Sequence, residues 1–181
     1  MLLTPTARWA DETVSFFPLT PDLVSDAYVG WLADPEVGRY LETRFRPQPR
    51  ADVEAFVAAM RNSERDLLLG ISANALGRHV GNIRLGPIDR NHGFAEIGIM
   101  VGDREAWGRG VATAAIARIA DIARHELGLR KLSAGCYAAN AGSRRAFEKA
   151  GFAVEGVRRA HALLDGKPED TILLGMIIDG Q

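Results

Sequence analysis

The sequence predicts a mixed α/β fold in which helices pack against one sheet that has both parallel and antiparallel strands. Its middle contains three apolar segments separated by turn-rich clusters of hairpin length, which is typical of antiparallel strands. A helical pattern and another apolar strand follow, and this strand–helix–strand order implies a parallel crossover. With two helices before this section, and a short helix and a hairpin after it, the predicted order is β-α-α-β-β-β-α-β-α-β-β.

The N-terminal third is predicted to contain a strand at residues 13–17, followed by two helices. Thr20 is a suitable N-cap for the first helix, with Pro21 at its first position, where the missing N–H costs nothing. Asp34 precedes a proline and ends this helix, because that position avoids helical dihedral angles. The apolar residues of the two helices recur at helical spacing and are Val24, Tyr28, Trp31, Leu32, Val53, Phe56, Val57 and Met60.

The rest of the chain alternates strands with two further helices. Gly128 stands where the crossover helix needs a C-terminal cap, Asn140 can cap the short helix, and Gly151 can end it. Residues 165–170 are predicted to join the last two strands as a hairpin loop. The predicted strands are 66–73, 79–88, 94–101, 129–138, 159–164 and 171–178, and the crossover helix is 111–127.

Composition predicts a single domain over residues 1–181, with 47% apolar and 25% charged residues, as in ordinary globular proteins. The net charge of −1 provides no overall field for nucleic acid or an anionic membrane. No signal peptide and no run of about 18 apolar residues is found, so no membrane span is expected. The single cysteine, Cys136, is expected to be a small buried hydrophobe, and its inability to form an internal disulfide fits the cytoplasm.

The segment REAWGRGVATAA, residues 104–115, places two glycines and an arginine between a predicted strand and a predicted helix. The first N–H groups of a helix lack internal partners, the helix dipole adds positive charge there, and glycines let the backbone approach an anion. The pattern suits a phosphate or pyrophosphate, although an isolated G-x-G is also a common turn. The P-loop lysine is absent and Thr113 replaces the third glycine of the dinucleotide motif, so neither nucleotide class is expected.

Several motifs together resemble the GNAT superfamily of acyl-CoA-dependent N-acetyltransferases, over nearly the whole chain. They are WLADPEVGRYLE at 31–42, HVGNIRLGPID at 79–89, FAEIGIMV at 94–101, WGRGVATAAI at 107–116, NAGSRRAFEKAGF at 140–152 and EGVRR at 155–159. The similar branch contains the ribosomal-protein N-terminal acetyltransferases and several sugar or antibiotic amine acetyltransferases.

The resemblance implies a twisted sheet of about seven strands, mostly antiparallel with one splayed parallel pair, flanked by about four helices. It implies acetyl-CoA as cosubstrate, no metal, and an amine-bearing acceptor. Loop amides would hold the CoA pyrophosphate, the edge of strand 94–101 would pair with the pantetheine, and Gly98 would form an associated bulge. The implied cofactor-binding residues are Ile99, Met100, Val101, Trp107, Gly108, Arg109, Gly110, Val111, Ala112, Asn140, Ser143 and Phe147.

The sequence departs from the family pattern at two positions. Glu105 stands where the loop usually begins with Gln or Arg, and Arg104 lies one residue early. Phe147 stands where the family often carries a tyrosine that protonates the leaving thiolate, which phenylalanine cannot do. Ser143, one turn earlier, is either the donor to the thiolate or a helix serine that satisfies local backbone. Asn140 is likewise a pantetheine ligand, an ordinary N-cap, or both.

Glu96 is the best candidate for the base that deprotonates the acceptor amine, because it shares a strand face with Gly98 and Met100. A solvent-facing or ion-paired structural glutamate is the alternative. The rival bases are Glu155, His161 and Asp170.

The acceptor site is expected between the N-terminal helices and the final hairpin, with Trp31, Tyr40, Arg44 and Glu96 as its residues. The helical stripe that contains Trp31 is more often a core stripe than part of a binding site, and residues 41–47 are either an acceptor lid or a solvated loop. The acceptor stays open between a protein N-terminal α-amine and a small molecule such as an amino sugar or antibiotic. Relatives are often homodimers. The alternative function is a non-catalytic acyl-CoA-binding module.

Overall fold

The computed structural model describes residues 6–178 and has the mixed α/β architecture that the sequence predicts. Its strands are β1 Val14–Pro18, β2 Leu67–Ala73, β3 Arg78–Leu85, β4 Phe94–Val101, β5 Lys131–Tyr137, β6 Ala153–Leu164 and β7 Lys167–Ile177. Its helices are α1 Asp26–Ala33, α2 Pro35–Gly38, α3 Arg50–Asn62, α4 Val111–His125 and α5 Ala141–Lys149. The strands form one sheet in the order β1-β2-β3-β4-β5-β7-β6, with β4 and β5 parallel and the other neighbours antiparallel.

Two apolar cores hold the helices against opposite faces of the sheet. Ile119 of α4 and Phe147 of α5 lie in the larger core, and Tyr28 of α1 and Val57 of α3 lie in the smaller one. Strand β4 contributes to both cores, because successive side chains of a strand point to opposite faces. The sheet therefore has a face covered by α4 and α5 and a face covered by α1 and α3.

The first helix begins later than its sequence pattern predicts. Pro21–Leu23 forms a 3₁₀ turn, and the Thr20 side chain makes no capping hydrogen bond. Ser25 caps α1 instead, because its Oγ accepts the N–H of Tyr28 at 3.1 Å. Asp34 then ends α1 and also caps the short helix α2, which the sequence analysis missed.

The C-terminal hairpin has longer strands and a tighter turn than predicted. The strands continue through most of residues 165–170, and only Asp165 and Gly166 separate them. Both residues have positive φ, 52° and 76°, as a type I′ turn requires. β6 also bulges where the Asp170 carboxylate accepts the N–H of Ala160 at 2.7 Å.

The bulge expected at Gly98 is not there. The β3–β4 register runs without a shift through the Arg84–Gly98 pair, and the irregularity lies between β2 and β3, at Ile71 and Ser72. Gly98 has a different consequence for the site. A Cβ built on it would meet no atom within 4 Å, so the surface above this residue is open.

Gly81→Ala should destabilise the fold, whereas Gly30→Ala should stabilise it. A Cβ at Gly81 would lie 2.2 Å from the carbonyl oxygen of Met100, so β3 and β4 would have to move apart. We expect a loss of about 2 kcal/mol of unfolding free energy, which is typical of overpacking. At Gly30, in α1, the methyl group meets no atom within 4 Å. The helical preference of alanine should add about 0.5–1 kcal/mol there. Urea unfolding measures both changes, and equal effects would contradict this packing.

Candidate functional site

Strands β4 and β5 separate after a short stretch of parallel pairing. Within the part of the chain that the structure describes, only Phe94, Ala95 and Glu96 of β4 pair with β5, opposite Lys131 to Ser133. Beyond Glu96, β4 is paired with β3 alone. The resulting cleft is the splayed parallel pair that the family resemblance implies.

The β3–β4 hydrogen bonds decide which backbone groups of β4 point into the cleft. The N–H of Gly86 donates to the carbonyl of Glu96 at 2.8 Å, and the N–H of Gly102 donates to the carbonyl of Val80 at 2.9 Å. Hydrogen-bonded residues alternate with non-bonded residues along an antiparallel ladder. Every second residue of β4, counted from Glu96, therefore turns its backbone groups to β3, and the residues between them turn theirs to the cleft.

Ile99 and Val101 are the β4 residues whose backbone groups point into the open part of the cleft. The carbonyl of Val101 accepts the indole N–H of Trp107 at 2.7 Å. Among residues 6–178, no strand pairs with the N–H of Val101 or with the backbone groups of Ile99 on this side. Met100 differs, because its backbone groups face β3 and its side chain packs against the smaller core. This part of β4 therefore offers a strand edge to a ligand.

The loop after β4 leads to the N-terminus of α4. Gly108 and Gly110 have φ of 72° and 79°, in the left-handed region that favours glycine. Gly110 is the N-cap residue and has no side chain, so the first N–H groups of this 15-residue helix are left for a ligand. Trp107 differs from the residues after it, because its backbone N–H already donates to the carbonyl of Arg104 at 3.1 Å.

Arg104 is held away from the loop by the N-terminal helices. Its guanidinium pairs with Asp34 and with Glu36, each at 2.6 Å. The hydrogen bond from Arg104 lowers the pKa of the Asp34 carboxyl, which the backbone N–H of Glu36 also does. The positive charge of Arg104 is therefore already matched by two carboxylates.

Arg78, at the start of β3, braces the loop from the other side. It pairs with Asp103 at 2.8 Å and with Glu105 at 2.6 Å. Burial alone would raise the pKa of Asp103, but hydrogen bonds from Arg78 and the backbone N–H of Glu105 hold it below its usual range. Glu105, which departs from the family pattern, is thus an ion-pair partner. Among residues 6–178, Arg109 is then the loop arginine without an ion pair, and its Nε donates to the carbonyl of Glu105 at 2.6 Å.

Asn140 and Ser143 lie at the start of α5, on the β5 side of the cleft. The Oδ1 of Asn140 accepts the N–H of Ser143 at 3.1 Å, which confirms its role as N-cap and leaves its Nδ2 available as a donor. The Ser143 hydroxyl has no hydrogen-bond partner in residues 6–178. Phe147 is 2% exposed and packs edge-on against Phe152 with ring centroids 5.1 Å apart, so it belongs to the core.

Glu96 stands on the sheet face covered by α1 and α3, at the last rung before the strands separate. It lies opposite Ser133 and beside the open space above Gly98. Its carboxylate is exposed and makes no hydrogen bond or ion pair with the described part of the chain. Glu96 is therefore an uncommitted carboxylate at the mouth of the cleft.

The rival bases have other surroundings. Glu155 forms an ion pair with Lys131. Asp170 accepts the N–H of Ala160 in the bulge of β6. His161 is exposed on that same edge strand. All three belong to the C-terminal hairpin of β6 and β7, whereas Glu96 belongs to β4 itself.

Residues 39–48 form a strap that joins the N-terminal helices to the end of β5 and the final hairpin. The Nη2 of Arg44 donates to the hydroxyl of Tyr137 and to a carbonyl of β6, both at 2.8 Å. The hydroxyl of Tyr40 donates to the carbonyl of Ala139 at 3.2 Å. Of the two predicted alternatives, these contacts favour a packed lid over a solvated loop, and they commit Arg44 to holding it.

Trp31 packs in the smaller core, between α1 and the base of the loop. A Cβ at Gly102 would lie 2.2 Å from its indole ring, and its ring is edge-on to His79 with centroids 5.0 Å apart. Burial lowers the pKa of His79 below its usual range, against the opposing effect of its hydrogen bonds to oxygens of Gly81 and Asn82. Trp31 is thus a core residue that supports the loop.

Sequence patterns do not identify Arg78 as part of the site. In the sequence it belongs to a predicted turn, 27 positions before its partner Glu105. Only the antiparallel register of β3 and β4, with Gly81 opposite Val101, brings it beside the loop. A prediction of that hairpin register is the signal that would have found it.

Residues 14–153 match the acetyltransferase (GNAT) domain family, and the chain belongs to this family. A protein of Bacillus subtilis (strain 168) that is named as a probable N-acetyltransferase, YjcK, is 36% identical over 109 residues, which are 60% of each chain. The structure is similar to that of RimL, the ribosomal L7/L12 α-N-protein acetyltransferase, in complex with CoA, with a TM-score of 0.83, 15% identity and coverage of 94% of this chain and 97% of that one. It is also similar to the spermidine N-acetyltransferase of Vibrio cholerae in complex with CoA and spermine, with a TM-score of 0.79, 18% identity and coverage of 93% and 97%.

The family match and the curated relatives confirm the predicted class of enzyme, an N-acetyltransferase of the GNAT family. The similar solved structures, at their low identity, support the fold. No helix in residues 6–178 is long and apolar enough to cross a membrane. The same residues contain no group of three or more His, Cys, Asp or Glu side chains that could hold a metal ion.

The partly buried His79 should make the stability of the fold fall as the pH drops below about 6.5. Because its pKa is lower in the folded state, the unfolded chain takes up the proton first, and stability falls as the pH drops through the unfolded value. Carboxylates with lowered pKa values begin to lose their stabilisation only below about pH 4, so a fall that begins near pH 6.5 has a different origin. Urea unfolding at several pH values should show a smaller loss in His79→Gln than in the wild type. The exposed His161→Gln is the control, and an equal slope in both variants would contradict the burial of a neutral His79.

Proposed function

We propose that this protein transfers an acetyl group from acetyl-CoA to a primary amine at the cleft between β4 and β5. The observation that carries the proposal is the open edge of Ile99 and Val101, which leads directly into the glycine loop and the N-terminus of α4. A linear ligand with amide groups can pair with such an edge as a further strand, and an anion at its end can meet the helix N–H groups. The pantetheine arm and pyrophosphate of CoA have this arrangement.

The residues proposed to hold the donor follow from the same geometry. The N–H groups of Gly108 to Ala112 face the pyrophosphate, and Arg109 adds the positive charge that the loop has not already paired. The indole of Trp107 closes the far end of the strand edge through its bond to Val101. On the β5 side, the free Nδ2 of Asn140 is a donor for the pantetheine arm.

Glu96 is the proposed base. Only a neutral amine attacks a thioester, and at pH 7 deprotonation costs about 4.6 kcal/mol for a lysine-like amine and about 1.4 kcal/mol for an α-amine. The uncommitted carboxylate of Glu96, beside the open space above Gly98, can attract a cationic amine and take its proton directly or through one water.

Ser143 is the proposed donor to the leaving sulfur. After Glu96 has taken the first proton of the ammonium group, the neutral nitrogen bonds to the acetyl carbon and the C–S bond breaks. The Ser143 hydroxyl donates its proton to the leaving thiolate and takes up the proton that the nitrogen loses, directly or through water, so that the products are the amide and the CoA thiol. That hydroxyl has no other partner in residues 6–178, whereas Phe147 is buried and has no proton to donate.

The proposed acceptor is a protein N-terminal α-amine or a small-molecule amine, entering between the strap and α1 on one side and the C-terminal hairpin on the other. The residues proposed to border this entrance are Tyr40, Arg44 and Trp31. Arg44 does so by holding the strap in place, and Trp31 by its packing in the smaller core. A single domain over residues 1–181, a cytoplasmic location, a homodimer and the absence of nucleic-acid binding stay predictions.

Glu96→Gln tests the base. We expect kcat to fall about 10²-fold with little change in the KM for acetyl-CoA, because the amide cannot take a proton and the residue does not hold the donor. Release of the CoA thiol, measured with peptides, polyamines, amino sugars and aminoglycosides as acceptors, is the assay. Glu155→Gln, which removes a carboxylate of β6 that is ion-paired with Lys131, is the matched control and should change neither constant.

Two results would contradict this account in different ways. Tight acetyl-CoA binding without turnover of any amine would favour the alternative function, a non-catalytic acyl-CoA-binding module with Phe147 in place of an acid. Turnover that is indifferent to both Glu96→Gln and Ser143→Ala would leave the enzyme in place and overturn the assignment of these two residues.

A further inference from the structure

We propose that Arg78 is a positioning residue for donor binding: it neutralises Asp103 and Glu105, so that the loop can accept the phosphate charge of the donor. The inference rests on the proposed binding of acetyl-CoA at this loop. It adds a residue from β3, outside the motif, and it gives a role to the glutamate with which this loop departs from its family.

The two carboxylates belong to the frame of the loop. The Oδ1 of Asp103 accepts the N–H of Glu105 at 2.9 Å and so caps the 3₁₀ turn Arg104–Ala106. The carbonyl of Glu105 accepts the Nε of Arg109 at 2.6 Å. The Asp103 carboxylate therefore caps the turn that leads into the two glycines, and Glu105 is part of that turn. Both carboxylates would repel a pyrophosphate bound there.

The charges around the loop show why Arg78 matters. Asp34, Glu36, Asp103 and Glu105 carry four negative charges, and Arg78, Arg104 and Arg109 carry three positive charges. Without Arg78 the ratio becomes four to two. Arg104 is engaged by Asp34 and Glu36. Without Arg78, therefore, no arginine that forms an ion pair within residues 6–178 would neutralise the two acids of the turn, Asp103 and Glu105.

The guanidinium of Arg78 is placed so that one cation binds two carboxylates. Its Nε donates to Asp103 and its Nη2 to Glu105, so the fork of the guanidinium spans both ends of the turn. Two further hydrogen bonds link the start of this turn to β3, because the carbonyl of Val80 accepts the N–H groups of Gly102 and Asp103 at 2.9 and 3.0 Å. The loop is therefore anchored to the backbone of β3 even without the ion pairs.

Arg78→Met tests the inference. The side chain of Arg78 is 48% exposed, and ion pairs this exposed add little stability, so the variant should fold. We expect the Kd for CoA and the KM for acetyl-CoA to rise about tenfold, with kcat nearly unchanged, because the loss concerns binding of the donor phosphates. The KM for acetyl-pantetheine, which has no pyrophosphate, should not change.

Matched variants separate an electrostatic role from a general loss of structure. Arg8→Met removes a guanidinium of similar exposure that pairs with Asp121 on α4, and it should leave CoA affinity unchanged. The double variant Arg78→Met with Glu105→Gln should recover part of the affinity, because it removes one of the two uncompensated charges. Arg78→Lys keeps the charge and loses the fork, so its affinity should fall between those of the wild type and Arg78→Met.

The outcomes that overturn the inference are specific. Unchanged CoA affinity in Arg78→Met, an equal loss with acetyl-pantetheine, or no recovery in the double variant would each overturn it while the enzyme still binds CoA. A wild-type protein that does not bind CoA at all would overturn the proposed function, and this inference with it.

Discussion

The parallel pairing of β4 with β5 stops at Glu96 and Ser133, and the rest of the site depends on that separation. A closed sheet would use the backbone groups of Ile99 and Val101 for strand pairing. Because β5 departs, those groups form the strand edge that is proposed to bind the donor, and the space above Gly98 stays open. Both strands are packed at this point, since the larger core contains residues of β4 and β5 together with α4 and α5, and Met100 of β4 packs against the smaller core on the other face.

Around the glycine loop, the charged side chains other than Arg109 are engaged in ion pairs with one another. Arg104 is tied to the junction of α1 and α2, and Arg78 neutralises the acids of the turn. The loop then presents backbone N–H groups and Arg109 to an anion. The same junction continues into the strap at residues 39–48, so the anchor of the proposed donor loop and the wall of the proposed acceptor entrance belong to one continuous segment of chain.

The sequence predicts the parts of this structure that local physics decides. Apolar spacing predicts α3, α4 and the sheet, and the predicted N-cap role of Asn140 is confirmed. Local competition misplaced other boundaries: Ser25 outcompeted Thr20 as a cap, and Asp165-Gly166 supplied a tight turn inside the supposed loop. At each of these boundaries several residues could form the cap or the turn, and the tertiary structure decides which of them does so.

The charged partners of the loop were beyond the reach of sequence patterns, because they depend on register. Arg78 meets Glu105 only when β3 and β4 are aligned, and Asp34 meets Arg104 only when α1 lies on the sheet. The departure at Glu105 was visible in the sequence, but its explanation required the neighbouring strand. Glu105, the residue that departs from the motif, thus indicated a contact with a residue of another strand, Arg78.

Amide hydrogen exchange with and without CoA, resolved by residue, can show whether the open edge of β4 binds the donor as a further strand would. The N–H groups of Ile99 and Val101 should become selectively protected when CoA binds. Those of Gly98 and Met100, already bonded to β3, should change little. Protection that is uniform along β4, or absent at Ile99 and Val101 while CoA is bound, would contradict this mode of binding.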